Sequence, residues 1–309
     1  MTSLLLSFLL TAVFWSDRGP VESLDLAGGP GGAAKAPKPP FTFVSEDKGG
    51  TAPKVNVRDS AGGQWIVKFG EEVKAENFAS RIVWAAGYFA DATYFVPSGK
   101  IEGVGELGRA KEFVRDGNFT NARFELREGG SRSERWSLTD SKFKDSREFA
   151  GLKVLIVLLS NWDVKPDNLA IVDGKYAITD WGATMGRPGE LMGRSKWDCA
   201  RYEKDTKTMI EGVDNGFVLF RYQGKQGVEI RHRIKVGDVQ WLMERLGKLS
   251  DAQIDAALQA SGATPEEQAC FGKAFRSRLA QLMTVGNTVS SEDGVTTTRR
   301  EVKVTTKTQ

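Results

Sequence analysis

The chain has 309 residues, 40% of them apolar and 27% charged, enough for two lobes or two small domains with sizeable cores. Its formal net charge is +3, and residues 295–309 alone carry +3 through Arg299, Arg300, Lys303 and Lys307 against Glu301. The rest is neutral overall, so no nucleic-acid footprint is visible and no nucleic-acid partner is expected. With one histidine, His232, and two cysteines, Cys199 and Cys270, little is left for a Ser-His-Asp or Cys-His mechanism, a His-ligated zinc or a Cys metal motif. The cysteines read as two small half-buried residues, with a disulfide between them left open. Phosphoryl transfer passes this filter, because it relies on positioning and charge rather than imidazole.

Residues 1–15 form an apolar N-terminal segment around the run LLLSFLLTAVFW (4–15). A run of twelve residues is too short to span a bilayer and suits a signal h-region, an anchor or a buried helix. Membrane contact is expected only through this run, and export or anchoring competes with a cytoplasmic location. Residues 16–40 are Gly/Pro-rich and read as a linker or wrapped arm with no packed element.

From Phe41 the pattern becomes strand-like. FTFV, VNVRD and QWIVKF read as three strands, with glycine turns at Gly49-Gly50 and Gly62-Gly63. The first turn, EDKGGTAPK, offers backbone N–H groups at Gly49 and Gly50 and the amines of Lys48 and Lys54 as a cover for phosphate. Lys68 ends the third strand. A helical pattern AENFASRIVWAAG follows, with Phe78, Ile82, Val83 and Ala86 on one face and Glu76 in its first turn, able to point back at Lys68. Glu72 is the competing partner if the helix starts earlier. TYFV and ARFELR read as further strands, and the backbone at residues 125–127 is a candidate adenine contact. Residues 128–146 read as a polar loop.

Ser146 is placed to cap the apolar helix REFAGLKVLIVLLS. Then comes NWDVKPDNLAIVDGKYAITDWG (161–182), in which Asp173-Gly174 is a hairpin turn between LAIV and YAIT. Closing that hairpin brings Asn168 beside Asp180, a neutral amide oxygen next to a carboxylate, which is the donor chemistry of Mg²⁺. Asp163 and Lys165 lie on the approach loop. After Gly182 the glycine content suggests a mobile loop. Arg187 and Arg194 lie in it, read as solvated or as contacts for an acidic substrate. GFVLFRYQGKQGVEIRHRI reads as a hairpin turning at Gly224–Gly227, inserted among helices. Three amphipathic helices follow, with Asp251 and Thr264 as N-caps, and residues 286–309 read as a disordered tail.

D-V-K-P-D-N-L resembles the catalytic loop of protein kinases, and Asp180-Trp181-Gly182 resembles their metal-binding D-F-G. GGTAPKVNVRD…WIVKF…E…ASRI…AGY resembles the amino-terminal lobe of HipA-type Ser/Thr kinases. Together these cover roughly residues 41–185. Asn161, Trp162 and Trp181 stand where the family usually has His, Arg and Phe. Without that Arg, a phosphorylated activation loop lacks its usual partner.

The resemblance implies an α+β, bilobal protein-kinase-like fold. Residues 41–127 would form an antiparallel β-rich N-lobe and 128–285 a mainly helical C-lobe with an inserted β-hairpin. It implies ATP and Mg²⁺ as cofactors. Lys68 with Glu76 would hold the nucleotide phosphates, Asp163 would accept the acceptor's proton, Lys165 would neutralise the γ-phosphate, and Asn168 with Asp180 would hold metal. The acceptor is expected to be a hydroxyl, protein Ser/Thr by default, with small-molecule or lipid hydroxyls close behind. The competing readings are a nucleotide-binding, pseudokinase-like module and an exported structural protein.

Overall fold

The computed structural model describes residues 12–127, 132–187 and 194–289. The expected strands form β1 (Phe41–Asp47), β2 (Lys54–Arg58) and β3 (Gln64–Lys68), joined as antiparallel hairpins. They are followed by α1 (Glu72–Ala85), β4 (Thr93–Glu102), β5 (Val114–Arg115) and β6 (Asn118–Leu126). The sheet order is β3-β2-β1-β4-β6-β5, and β3 also pairs with β6, so five strands close on themselves. The lobe is mostly antiparallel, as expected. The β1–β4 seam is parallel, with Phe41 opposite Ile101, because the intervening helix returns the chain to the same end of the sheet.

Period-two alternation sorts the side chains of this lobe. Val55, Val57, Trp65, Val67, Phe69, Ala122 and Phe124 fill the closed interior. Lys68 is therefore turned outward. Arg123 lies directly opposite it on β6, and Glu125 lies opposite Ile66, so all three stand on the face away from that core. The helix covering this face, α1, starts at Glu72, three residues earlier than its apolar pattern suggested. Glu76 is accordingly in its second turn. Phe78, Ala79, Ile82 and Val83 on α1 join a second, larger core.

That larger core is built on α2 (Arg147–Leu158), whose Ser146 Oγ accepts the Phe149 N–H as expected. A three-stranded sheet lies beside it: β7 (Arg132–Arg135), β8 (Leu169–Val172) and β9 (Lys175–Ile178). The stretch expected to be all loop thus contains β7, which pairs with β8. Its sequence, RSER, has no apolar alternation to read, and only the open edge of β8 recruits it. Asp173 and Gly174 both take positive φ, +47° and +71°, as a two-residue hairpin turn requires.

The remaining elements are α3 (Cys199–Thr206), β10 (Ile210–Asp214), β11 (Phe217–Phe220), α4 (Gly227–Arg231), α5 (Val236–Leu246), α6 (Asp251–Ala260) and α7 (Pro265–Val289). The inserted hairpin exists, but one strand earlier than expected. It turns at Asn215-Gly216, with φ +48° and +78°, and VEIR is helical. The Asn-Gly pair is the stronger turn signal. Ser250, not Asp251, caps α6, with Gln253 completing a capping box. Thr264 and Glu267 exchange reciprocal bonds at the start of α7.

Cys199 and Cys270 form a disulfide between the first residue of α3 and α7. Arg278 of α7 is fully buried and donates to the carbonyls of Val157 and Leu158 at the end of α2 and to Ser160 Oγ. A cation at a helix C-terminus is favourable, and this one fixes where the following loop begins.

Most of the apolar run 4–15, and the tail beyond residue 289, lie outside the described residues. The end of the run is docked. Val13 exchanges backbone bonds with Gly174 and Tyr176, and Phe14 stacks on Tyr176 among Trp136, Phe143 and Phe149. The Gly/Pro-rich stretch expected to carry no packed element does pack. Val21 and Leu26 are buried, and side chains satisfy its backbone: Arg81 bonds Ala27 O, Tyr94 bonds Gly32 O, and Gln253 bonds Val21 O and Leu24 O. An arm held by its neighbours' side chains needs no periodicity of its own. Among the described residues no helix is long and apolar enough to cross a membrane.

Candidate functional site

Lys68 and Glu76 meet. Lys68 Nζ lies 3.7 Å from Glu76 Oε2. The shorter contact is one the sequence reading missed: Arg123 Nη1 lies 2.5 Å from Glu76 Oε1, and its Nη2 bonds Glu125 Oε2 at 2.7 Å. Arg123 is 1% exposed. Burial pushes the Glu76 carboxyl up to about 7, against the pull of Arg123 and Lys68, and Asp180 and Glu125 add to the rise. The neighbouring carboxylates outweigh desolvation at Arg123, whose pKa is raised. A signal for Arg123 existed: a basic and an acidic residue two apart on a strand otherwise buried share one face.

The catalytic-loop candidates come from the segment after α2. Asn168 ends a short 3-10 turn (Pro166–Asn168) leading into β8. Its carbonyl accepts the Thr179 N–H at 2.9 Å, so the closed hairpin puts Asn168 across from Thr179, with Asp180 the next residue along. Asn161, fully buried, ties the two loops together. Its Nδ2 donates to Asp180 O at 3.1 Å, and its Oδ1 accepts the Asp163 N–H at 3.3 Å. An amide thus cross-links both loops where the resemblance would place an imidazole. Asp180 Oδ1 accepts from Gly182 N.

Glu72, Glu76 and Asp180 each offer an oxygen within 4.8 Å of the others. Glu76 Oε2 is buried without a hydrogen-bond partner. This all-oxygen donor set fits a hard divalent cation; the Asn168 side chain donates to Asp163 O at 3.4 Å. Glu72 was noted from sequence only as a rival partner for Lys68. It pairs instead with Lys196 at 2.7 Å. Gly182 permits the approach of α1, since a Cβ there would lie 2.9 Å from Glu72 atoms.

Asp163 carries an ammonium on each oxygen. Lys165 Nζ lies 3.1 Å from Oδ2, and Lys225 Nζ lies 2.5 Å from Oδ1. Partial burial would raise the Asp163 carboxyl, but the two lysines outweigh it and hold it below the usual range. Lys165 is held above its ordinary range, its partial burial outweighed by Asp163. Lys225 was also missed, because it was read as the far turn of a hairpin.

The glycine turn expected to cover phosphate has part of its donor set engaged. Gly49 N–H donates to Asp47 Oδ1, and Lys54 pairs with Asp47 at 3.4 Å. Arg109 bonds the carbonyls of Lys48 and Gly50, clamping the loop from the side. Gly49, Gly50 and Lys54 therefore sit together, with the Gly49 N–H and the Lys54 amine both turned to Asp47. Arg194 and Lys196 rest over the Trp162 ring, next to Asp163.

The elements are those of a protein-kinase-like arrangement: a closed sheet with a lysine on β3, one helix presenting a glutamate to it, and a helical lobe carrying an Asn-hairpin-Asp unit. No protein-family model matches the chain, and no curated protein matches it. Among solved structures it is similar to the Helicobacter pylori proinflammatory kinase CtkA, with TM-score 0.48 and 12% identity over 82% of this chain and 98% of that one. It is also similar to the Golgi casein kinase, with TM-score 0.45 and 12% identity over 91% of this chain and 79% of that one. The same kinase with Mn and ADP bound gives TM-score 0.43 and 12% identity, over 81% and 72%. Likeness this distant says nothing of activity, so the functional reading rests on the side chains.

Proposed function

We propose that the chain is an ATP- and Mg²⁺-dependent phosphotransferase of atypical kinase type, with residues 41–127 as the nucleotide lobe and 128–285 as the acceptor lobe. The observation that carries this is the meeting of two distant parts of the chain. Asp180, just after the hairpin, lies within 4.8 Å of Glu76 on α1, and Glu76 in turn faces Lys68. Nothing in local sequence requires that meeting, and phosphoryl transfer has a use for it.

In this reading Lys68 binds the α- and β-phosphates, and Arg123 holds Glu76 in place behind it. Asp180, Asn168 and the Glu72–Glu76 pair are the residues that would hold the divalent ion. That ion, when bound, neutralises phosphate charge. Asp163 orients the acceptor hydroxyl and receives its proton, and Lys165 faces the transferred group. The acceptor is a hydroxyl, protein Ser/Thr by default. Export or N-terminal anchoring stays compatible with the disulfide, which is typical of oxidising compartments.

Incubation with γ-labelled ATP and Mg²⁺, alone and with lysate, tests the reading. Label should reach the chain or an acceptor, and Asp163→Asn should abolish transfer while nucleotide still shifts the melting temperature. Equal turnover by Asp163→Asn would remove the assignment. A second reading, a nucleotide-responsive binding module, is favoured by the double occupation of Asp163 and the engaged Gly49 N–H. A nucleotide thermal shift without turnover on any acceptor would select it.

A further inference from the structure

We propose that Lys225 belongs to this site and selects the acceptor, favouring a hydroxyl that lies beside an anionic group, a carboxylate or a phosphate. The proposal rests on the reading of Asp163 as the residue that meets the acceptor hydroxyl. Lys225 comes from neither kinase-like loop. It follows the inserted β10–β11 hairpin, and the segment 222–226 is bonded along the catalytic loop. The Tyr222 hydroxyl donates to Asn161 O, Lys225 N–H donates to Trp162 O at 2.9 Å, and Gln226 Nε2 donates to Val164 O at 3.1 Å. Gly224 allows this proximity, since a Cβ there would lie 2.8 Å from Trp162 Cα. A segment bonded at three places within four residues is a built wall of the site.

Charge decides what this wall does. Asp163 is shared by the ammonium groups of Lys165 and Lys225, Asp180 also acts on Lys165, and the Arg194 guanidinium lies over the adjacent Trp162 ring at 5.0 Å. Lys196, also over that ring, is committed to Glu72. Asp167, exposed on the same loop, pairs with Arg135. Among the described residues Asp163 is the carboxylate that pairs with Lys225. A hydroxyl bonding to Asp163 competes with Lys225 for Oδ1. A neutral acceptor would release that ammonium with nothing in exchange. An acceptor with its own anion gives Lys225 a new partner as the old one is taken. Lys225 is 44% exposed at its side chain, so it is free to turn.

The test uses the full chain with ATP and Mg²⁺. Serine peptides identical but for Glu, phosphoserine or Gln beside the acceptor are compared, together with myo-inositol against an inositol monophosphate. The wild type should prefer the charged member of one set by about tenfold in kcat/KM, the worth of one charge-assisted hydrogen bond. Lys225→Met should lose most of that preference through KM, and Lys225→Arg should keep it. ATP affinity and melting temperature serve as fold controls. Equal use of charged and neutral acceptors by the wild type, or an undiminished preference in Lys225→Met, overturns the proposal. Binding of fluorescent peptides is measured in parallel and needs no turnover. If nothing is phosphorylated, the functional reading fails separately. Weaker charged-peptide binding by Lys225→Met then still supports an anion-selective wall, and equal binding overturns it.

Discussion

Replacing Arg123 by methionine should cost this protein more stability than any substitution at the visible kinase-like motifs. The guanidinium is 1% exposed and touches Glu76 at 2.5 Å and Glu125 at 2.7 Å. Removing one partner of a buried ion pair costs about 3–5 kcal/mol, since a buried charge is left behind. Here the low end applies. The Glu76 carboxyl is already pushed up to about 7 by burial, so it can take up a proton once Arg123 is gone. A loss of about 3 kcal/mol lowers Tm by roughly 6–12 °C for a chain of this size.

The sign of the pH dependence follows from the same carboxyl. Losing Arg123 raises its folded-state pKa further, above the unfolded value. The deficit against wild type should then be small near pH 5 and grow as pH rises through 7 towards 8. Urea or thermal unfolding at both pH values reads it. The double variant with Glu76→Gln removes the stranded charge and should recover at least about 1 kcal/mol relative to additivity. An Arg123→Met protein as stable as wild type at pH 8, or a deficit that Glu76→Gln leaves untouched, would refute the reasoning.

Three further outcomes are expected. Asp180→Ala should abolish the Mg²⁺ dependence of nucleotide binding by thermal shift, and an unchanged dependence would move the metal elsewhere. Burial lowers the Lys153 ammonium to about 8, below its unfolded value, so wild-type stability gains as pH rises from about 8 towards 10. Lys153→Met should therefore be the more stable protein at pH 7, by up to about 3 kcal/mol, less what the bond to His232 O contributes. The gap should close by pH 10, and a pH-independent gap would mean the lysine is not desolvated. Cys199→Ser with Cys270→Ser opens a closure spanning 71 residues, worth up to about 4 kcal/mol by loop entropy. Reducing agent should lower the wild-type Tm and leave that of the double variant unmoved.

Local features were readable from residues because they depend on neighbours in the chain. The strand alternation at 41–68, the Asp173-Gly174 turn and the Ser146 cap are each governed by a few consecutive residues. So is the placing of Asn168 across from Thr179, since a two-residue turn fixes the register of the strands it joins. The hairpin at 210–220 was legible too, through Asn215-Gly216, but a glycine cluster downstream drew the turn to the wrong place. Strand β7 was not legible, because its pairing depends on an edge that another segment supplies.

The sequence by itself determined the polar cast of the candidate site: Lys68, Glu76, Asp163, Lys165, Asn168 and Asp180 all lie in short patterned stretches. Only the tertiary structure decided who holds whom. Arg123 faces Glu76 because β6 closes the sheet against β3, and Lys225 faces Asp163 because the segment after an inserted hairpin folds back onto residues 161–164. Both contacts join residues about 50 or more apart in the chain. Side-chain period and turn chemistry carry no information over that range; closure of the sheet and packing of the two cores do.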